Sequence, residues 1–338
     1  MKKYFKYFKY LYFYNERIIL PLKRSLNNWS YLVFILISPI LIVNFVLSVI
    51  YEHTIGERLV HYQMKKDMKG SFVHDIAIVS ISKNEGPYLL EWIEFHRIVG
   101  VTKFFFYDND SDDNTRELLQ PYIDSGIVDY VLVKGKGQQL NAYNDAIQKH
   151  KNECRWMAFI DMDEYLIPSQ GGMLGETMQR LFEGRNDGAA GIGVNWATFG
   201  TSGHKNRLPP PPITEKLLNR AENNYWTNFH VKTICNPRLV ANYISPHYPH
   251  YRLGAYSISD TGKRQWGWSF NDVQYNNLRI NHYYCKSEED YLKKISRGLG
   301  DRVGSYDMSR YKYYDKNDVH DELMLRYKSE LSKRLKSF

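Results

Sequence analysis

The sequence predicts an α/β protein, a mainly parallel sheet flanked by helices, carried behind an N-terminal membrane helix. Three observations predict it. Between residues 75 and 160, four short apolar runs alternate with helical stretches of ten to twelve residues, the pattern of βαβ units. Every polar cluster in that half follows one of the apolar runs, at the carboxyl ends of strands where parallel sheets collect their ligands. Upstream, Tyr31 to Tyr51 is a run of 21 residues without a charge. As a helix rising ~1.5 Å per residue it would match a bilayer core of ~30 Å.

The charge supports that division. The 338 residues carry 45 Lys+Arg against 37 Asp+Glu, and residues 1–70 hold eleven of the basic residues but only four of the acidic ones. The rest of the chain is balanced to within one charge, so a groove for nucleic acid is not expected there. Segment 1–30 interleaves lysines with Tyr4, Phe5, Tyr7, Phe8, Tyr10, Tyr12, Phe13 and Tyr14, a composition suited to a membrane interface. Residues 31–51 are then a transmembrane or monotopic helix, with a buried core helix as the competing reading, and 52–73 a stem. Seven Lys/Arg precede the apolar run and four follow it within residues 1–70, which places the N-terminus in the cytoplasm. Cys154, Cys235 and Cys285 have no CxxC spacing, so three buried thiols are expected rather than zinc or a disulfide framework.

The elements follow in order. Asp75–Ser82 reads as a β-branched strand, Tyr88–Val99 as a helix stopped by Gly100, and Lys103–Tyr107 as a second strand. A polar loop 108–114 leads into a helix from Thr115 to Ser125, a third strand Val128–Val133, a helix from Gln138 to His150, and a fourth strand Trp156–Ile160. No GxGxxG or GxxxxGK[ST] occurs, which argues against a dinucleotide-binding dehydrogenase and a P-loop enzyme. The loop 108–115 offers Asp108, Asp110 and Asp112 at calcium-loop spacing, but Asp113 and Leu119 stand where that loop needs Gly and Glu. Asp112 or Asp113 instead suits capping of the following helix. Near the C-terminus, apolar residues at helical spacing predict an amphipathic helix over Val319–Leu335.

The strongest chemical signal is Asp161-Met162-Asp163 directly after the fourth strand. On extended backbone, residues i and i+2 point to one side, so both carboxylates can converge on a hard cation that finishes its shell with phosphate oxygens. Such a cation neutralises a departing diphosphate. A solvated acidic turn is the bland alternative, and the position at the ligand-binding edge favours the site.

These residues resemble a known family. SISKNE at 80–85, YDNDSDDNT at 107–115, QQLNAYNDAI at 138–147 and WMAFIDMDEYLIP at 156–168 are similar to glycosyltransferases of the A-type fold, close to families 2 and 92. NWATFGTSGH at 195–204, VKTICNP at 231–237 and RINHYYCKSEEDYLKKISRG at 279–298 match the family 92-like pattern, so the resemblance spans roughly 74–325. It implies a donor half, 74–168, and an acceptor half, 169–325, followed by a C-terminal tail, 326–338. It further implies a nucleotide-sugar donor, a UDP-sugar first among them, with Asn84, Glu85 and Asp108 near base and ribose and Asp161 near the diphosphate. Mn²⁺ or Mg²⁺ would be held by Asp161, Asp163 and His282. The family 2 loop usually reads DDGS where this chain has Asp108, Asn109, Asp110 and Ser111.

In the acceptor half, Trp196, Phe199, Ser202 and His204 combine aromatic faces with hydroxyl-bonding groups, against the alternative of a core Trp beside a Gly-rich turn. Four consecutive prolines between Leu208 and Ile213 predict an extended segment. His247 and His250 invite a metal reading but have no third partner nearby in sequence. For the base that deprotonates the acceptor hydroxyl, Asp260 and Asp272 are the candidates, each also readable as a loop carboxylate. The expected function is transfer of a sugar to a glycan or glycolipid acceptor, with inversion, in surface-glycan (lipooligosaccharide or capsule) or glycoprotein-glycan synthesis. The alternatives are an inactive membrane-anchored carbohydrate-binding protein and a metal-dependent nucleotidyltransferase. The body would lie on the cytoplasmic face in a bacterium and in the Golgi lumen in a eukaryote.

Overall fold

Helix α1 (Ser30–Tyr51) coincides with the uncharged run and continues through a π-turn, Glu52–Gly56, into helix α2 (Glu57–Lys69). The computed structural model describes residues 30–209, 212–265, 267–297 and 307–337, so segment 1–29, expected at a membrane interface, lies outside the described residues. Among the described residues no helix is long and apolar enough to cross a membrane. The spanning helix expected over residues 31–51 is not found among them; the side chains described in that run begin at Pro39. Those side chains are nonetheless turned outward, with Ile40, Ile42, Val43, Val46, Leu47 and Ile50 each at least 47% exposed.

The stem is fixed to the body. The Asp67 carboxylate of α2 accepts from Arg238 (2.8 Å) and Asn236 (2.7 Å), while Arg155 donates to the carbonyls of Met68 (2.6 Å) and Gly70 (3.0 Å). At the π-turn the backbones of Gly56 and Gly254 approach so closely that a Cβ on Gly254, whose φ is +93°, would lie 2.2 Å from the Gly56 carbonyl carbon.

The first half folds as its pattern predicts. Strand β1 (His74–Ser82), helix α3 (Gly86–Ile98), strand β2 (Lys103–Asp108), helix α4 (Thr115–Asp124), strand β3 (Val128–Leu132), helix α5 (Gln139–His150) and strand β4 (Cys154–Phe159) alternate, each within two residues of expectation. Strands β3, β2, β1 and β4 are adjacent and parallel. Phe104, Phe105, Phe106 and Trp156 are fully buried on this sheet, and Trp92 and Phe95 of α3 pack into the same core. Asp113, rather than Asp112, serves the start of α4, accepting from the Thr115 amide (3.0 Å) and also from the Gly86 amide of α3 (3.0 Å).

The sheet continues into the second half. After strand β5 (Glu164–Pro168) and helix α6 (Leu174–Phe182) come strand β6 (Ala189–Thr198), the short helix α7 (Ile213–Lys216) and strand β7 (Asn219–Arg220). Strand β8 (Val231–Cys235) inserts antiparallel between β4 and β6. Strands β9 (Val240–Tyr243) and β10 (Pro249–Tyr251) form a separate pair, and β11 (Tyr256–Ile258) with β12 (Arg264–Gln265) extends the main sheet beyond β6. Strand β13 (Leu278–His282) lies parallel to β6 and antiparallel to β5. Helices α8 (Glu288–Arg297) and α9 (Met308–Tyr314) follow. All three cysteines are free and buried.

The C-terminal expectation needs correction. In place of one helix over 319–335 the chain forms strand β14 (Val319–His320), a 3-10 turn at Leu323–Tyr327 and helix α10 (Lys328–Leu335). The cause is Asp321, which interrupts the run to accept from Arg279 (2.7 and 3.0 Å), Arg220 (2.7 Å) and the Leu323 amide (3.1 Å). Burial opposes its ionisation, but Arg279 and Arg220 hold its carboxyl below the usual carboxylate range. A depressed carboxyl stabilises the fold above its ordinary pKa and loses that contribution as pH falls through the folded value. Asp321→Asn should therefore cost about 3–5 kcal/mol near neutral pH in urea unfolding, a deficit that shrinks below about pH 4.

Candidate functional site

The carboxyl ends of β1 and β4 meet the amino end of β8 and the carboxyl ends of β6 and β13 around one cleft of about 720 Å³. Because β8 runs antiparallel to β4, its first residues arrive at the edge where β4 ends, and Lys232 lands beside Asp161. The β13–β5 pairing sets His282 opposite Glu164, and the Tyr283 amide donates to the Asp163 carbonyl (2.8 Å), which brings His282 to the same loop. Helix α8 supplies Lys294 from the other side.

Each acidic group at the centre has a lysine. The Asp161 carboxylate is 2.8 Å from Lys232 Nζ through one oxygen, and its other oxygen accepts from Gln139 (2.6 Å) and the Tyr143 hydroxyl (3.3 Å). The buried Asp163 carboxylate accepts from Lys294 (2.6 Å), whose ammonium also lies 3.6 Å from the centre of the Tyr284 ring. Burial alone would raise the Asp163 carboxyl, but Lys294 and then His282 hold it well below its ordinary value. Glu164 behaves oppositely: burial pushes it well above a normal carboxyl despite Lys232 at 3.7 Å. Its Oε2 accepts the Asp161 amide (2.9 Å). Burial disfavours the Lys232 ammonium, yet Asp161 and Glu164 raise it well above an ordinary lysine, so the group is a fixed cation.

The residues present suit a divalent cation at two positions rather than three. Asp163 Oδ1 and His282 Nε2 face each other at 3.6 Å, and Nδ1 of His282 is buried without a hydrogen-bond partner, so no other part of the fold commits the ring: with the hydrogen on Nδ1, Nε2 would offer its lone pair to a cation between the two. Asp161 has both oxygens engaged, and among the described residues no group of three His, Cys, Asp or Glu side chains is placed to hold a metal. Two protein ligands are enough for Mg²⁺ or Mn²⁺ where phosphate and water complete the shell.

Of the other expected donor contacts, Glu85 lines the cleft, ion-paired to Lys286 (2.6 Å). Asn84 lines an adjoining cavity and bonds to Asp112, while buried Asp108 accepts from Ser111 and Tyr130. Asn109, Ser82 and Lys83 line the cleft in their place.

The acceptor expectation is met at one residue. Trp196 lines the cleft, 5% exposed, and its Nε1 has no partner. Phe199 is packed in the core against Tyr283, Ser202 sits in a turn held by Asn317, and His204 closes the same turn; none of these three lines the cleft. The remaining wall is aromatic and comes from segments that carried no signal on their own. His230 stacks on Trp196 (4.8 Å, 12°), Trp268 lies 4.9 Å from His230, and Trp226 connects His230 to Tyr313. Trp226 and Trp268 are 45% and 44% exposed at the cleft. His247 joins this wall, whereas His250 is buried on β10 away from it, so the two do not form a metal pair.

Neither expected base is here. Asp260 accepts the amides of Asn276 (2.6 Å), Asn277 (3.0 Å) and Leu278 (3.2 Å), and Asp272 pairs with Lys263 on the surface; neither lines the cleft. Both are loop carboxylates.

Residues 81–322 match the profile of glycosyltransferase family 92. The chain belongs to that family. A family 92 protein of Ricinus communis is 29% identical over 149 residues, 44% of this chain and 26% of that protein, and a second match to the family in Ricinus communis extends over 72% of this chain at 23% identity, covering 40% of that protein. An Arabidopsis thaliana member is 32% identical over 103 residues, 30% of this chain and 18% of its own length. The chain thus spans well under half the length of these relatives. Among solved structures, Staphylococcus aureus TarS 1–349 in complex with UDP-GlcNAc aligns with 78% of this chain and 73% of its own at 11% identity, TM-score 0.36.

Proposed function

We propose that this family 92 chain transfers a sugar, with inversion, from a nucleotide-sugar donor to a glycan acceptor. The observation that carries the reading is one cleft with two faces: lysine-paired Asp161 and Asp163 at the end of β4, and the aromatic wall Trp196–Trp226–His230–Trp268 opposite. The first face suits a nucleoside diphosphate, because Lys83, Lys232 and Lys294 offset the carboxylates. The second suits a sugar ring, whose C–H face packs on the exposed indoles of Trp226 and Trp268.

Asp163 and His282 would hold Mn²⁺ or Mg²⁺, which supplies charge neutralisation to the departing diphosphate. Lys294 keeps Asp163 ionised and oriented, Gln139 and Lys232 fix Asp161 toward the ribose or diphosphate, and Glu164 holds the loop through the Asp161 amide. A UDP-sugar is the expected donor, and a surface or glycoprotein glycan the expected acceptor. The outward apolar face of α1, held rigidly by the stem, fits a membrane-associated protein.

The test is a screen of nucleotide sugars with glycan acceptors, scored for nucleoside diphosphate release with Mn²⁺ and with chelator. Acceptor-dependent release of diphosphate supports the proposal. Glycan binding without release would make the chain a lectin-like protein, and pyrophosphate from a nucleoside triphosphate a nucleotidyltransferase; either result overturns it.

A further inference from the structure

We infer that His230 takes the proton from the acceptor hydroxyl, a role that rests on the transferase reading above. The acceptor oxygen bonds to the anomeric carbon as the bond from that carbon to the diphosphate oxygen breaks. The electron pair leaves with the nucleoside diphosphate, and the hydroxyl proton passes to Nε2 of His230, which later yields it to solvent.

Elimination is the first argument. Among the described residues the carboxylates lining the cleft are Glu85, Asp161 and Asp163, and each lies within 2.8 Å of a lysine ammonium. To take a proton, each would have to give up that ion pair and leave the ammonium uncompensated. Tautomer is the second. His230 Nδ1 is 3.0 Å from the Thr227 carbonyl oxygen, which can only accept, so Nδ1 carries the hydrogen and Nε2 the lone pair. Placement is the third: Trp196 stacked at 4.8 Å and Trp268 at 4.9 Å fix the imidazole plane within the wall assigned to the acceptor.

The other two cleft histidines fit less well. His247 is in the same tautomer through the Val231 carbonyl (3.0 Å), but burial and then the Lys232 ammonium oppose its protonation. His282 faces Asp163. Burial pushes His230 down to about 4, close to an ordinary carboxyl group; the Thr227 bond partly offsets this, the His282 imidazole adds to it, and no lysine takes part. It therefore meets the acceptor unprotonated.

The decisive variant is His230→Asn, whose amide N–H can keep the Thr227 bond while nothing replaces Nε2; His230→Gln is its companion, offering a hydrogen-bonding amide near Nε2 that cannot take a proton. Acceptor-dependent turnover should fall about 10²–10⁴-fold in both. Binding of UDP with Mn²⁺, read as a thermal shift, and the thermal midpoint itself should stay near wild type. Turnover of His230→Gln within threefold of wild type overturns the role, because hydrogen bonding alone would then suffice. So does a matching loss of UDP binding in both variants, which would mark His230 as structural. Wild-type protein that neither binds UDP nor releases diphosphate from any nucleotide sugar would sink the transferase reading itself, and the base with it.

Discussion

Asp163→Asn is expected to lower acceptor-dependent turnover roughly 10²–10³-fold while the protein stays folded. The side chain has three tasks in one place: it faces His282 at 3.6 Å where a cation would sit, it holds Lys294 at 2.6 Å, and it lies at the end of β4 where the diphosphate would be drawn. Asparagine keeps the shape and one accepting oxygen but removes the charge. Breaking a buried ion pair usually costs about 3–5 kcal/mol. Here the loss should be smaller, because Lys294 keeps the Tyr284 carbonyl (3.2 Å) and the face of the Tyr284 ring (3.6 Å). Thermal unfolding with UDP separates the effects: added Mn²⁺ should raise the midpoint of wild type and leave that of the variant unchanged. Turnover near wild type in a folded Asp163→Asn protein would remove Asp163 from the chemistry.

What the sequence disclosed follows from how local each signal is. β1, β2, β3 and β4, with the helices between them, are legible because each is a short apolar run bounded by its own loop, and Asp161 and Asp163 inherit their position from the strand before them. The aromatic wall is assembled differently. Trp226 opens a 3-10 turn that His230 follows, Trp268 lies in a loop, and Tyr313 is on α9; the antiparallel β8–β6 pairing sets His230 beside Trp196, and the Val231 amide of β8 donates to the Trp268 carbonyl (3.2 Å). No spacing rule connects residues 226, 268 and 313. Phe199, Ser202 and His204 misled through sequence proximity to Trp196: once β6 ends at Thr198 the chain turns away, and Phe199 enters the core. Asp260 and Asp272 misled because a carboxylate in a loop looks the same in sequence whether it accepts backbone amides or a substrate proton. Asp321 is the converse, a carboxylate that breaks an apparent helix because two arginines distant in sequence meet it.

Lys232 shows how much one such residue can carry. Lys232→Met is expected to weaken both the fold and the handling of the donor. The side chain is 1% exposed, and its ammonium lies between Asp161 at 2.8 Å and Glu164 at 3.7 Å. Asp161 is the nearer partner, and methionine, of similar length, leaves it without its counter-charge. The usual penalty of about 3–5 kcal/mol is an upper bound, because the Asp161 side chain is 35% exposed toward the cleft and water screens it. Removing both charges in Lys232→Met with Asp161→Asn should recover most of that loss in urea unfolding, as expected for a directly coupled pair. Donor handling should not recover, since the double variant lacks both the fixed cation and the carboxylate: the KM for the nucleotide sugar should rise at least about tenfold. The sign with pH is also fixed. A lysine raised above its ordinary pKa contributes fully below that value and loses its contribution as pH rises through the folded one, so the deficit of Lys232→Met should be constant across neutral pH and shrink only above about pH 10. A variant as stable as wild type at pH 7 would show that the Asp161 contact is incidental to the fold.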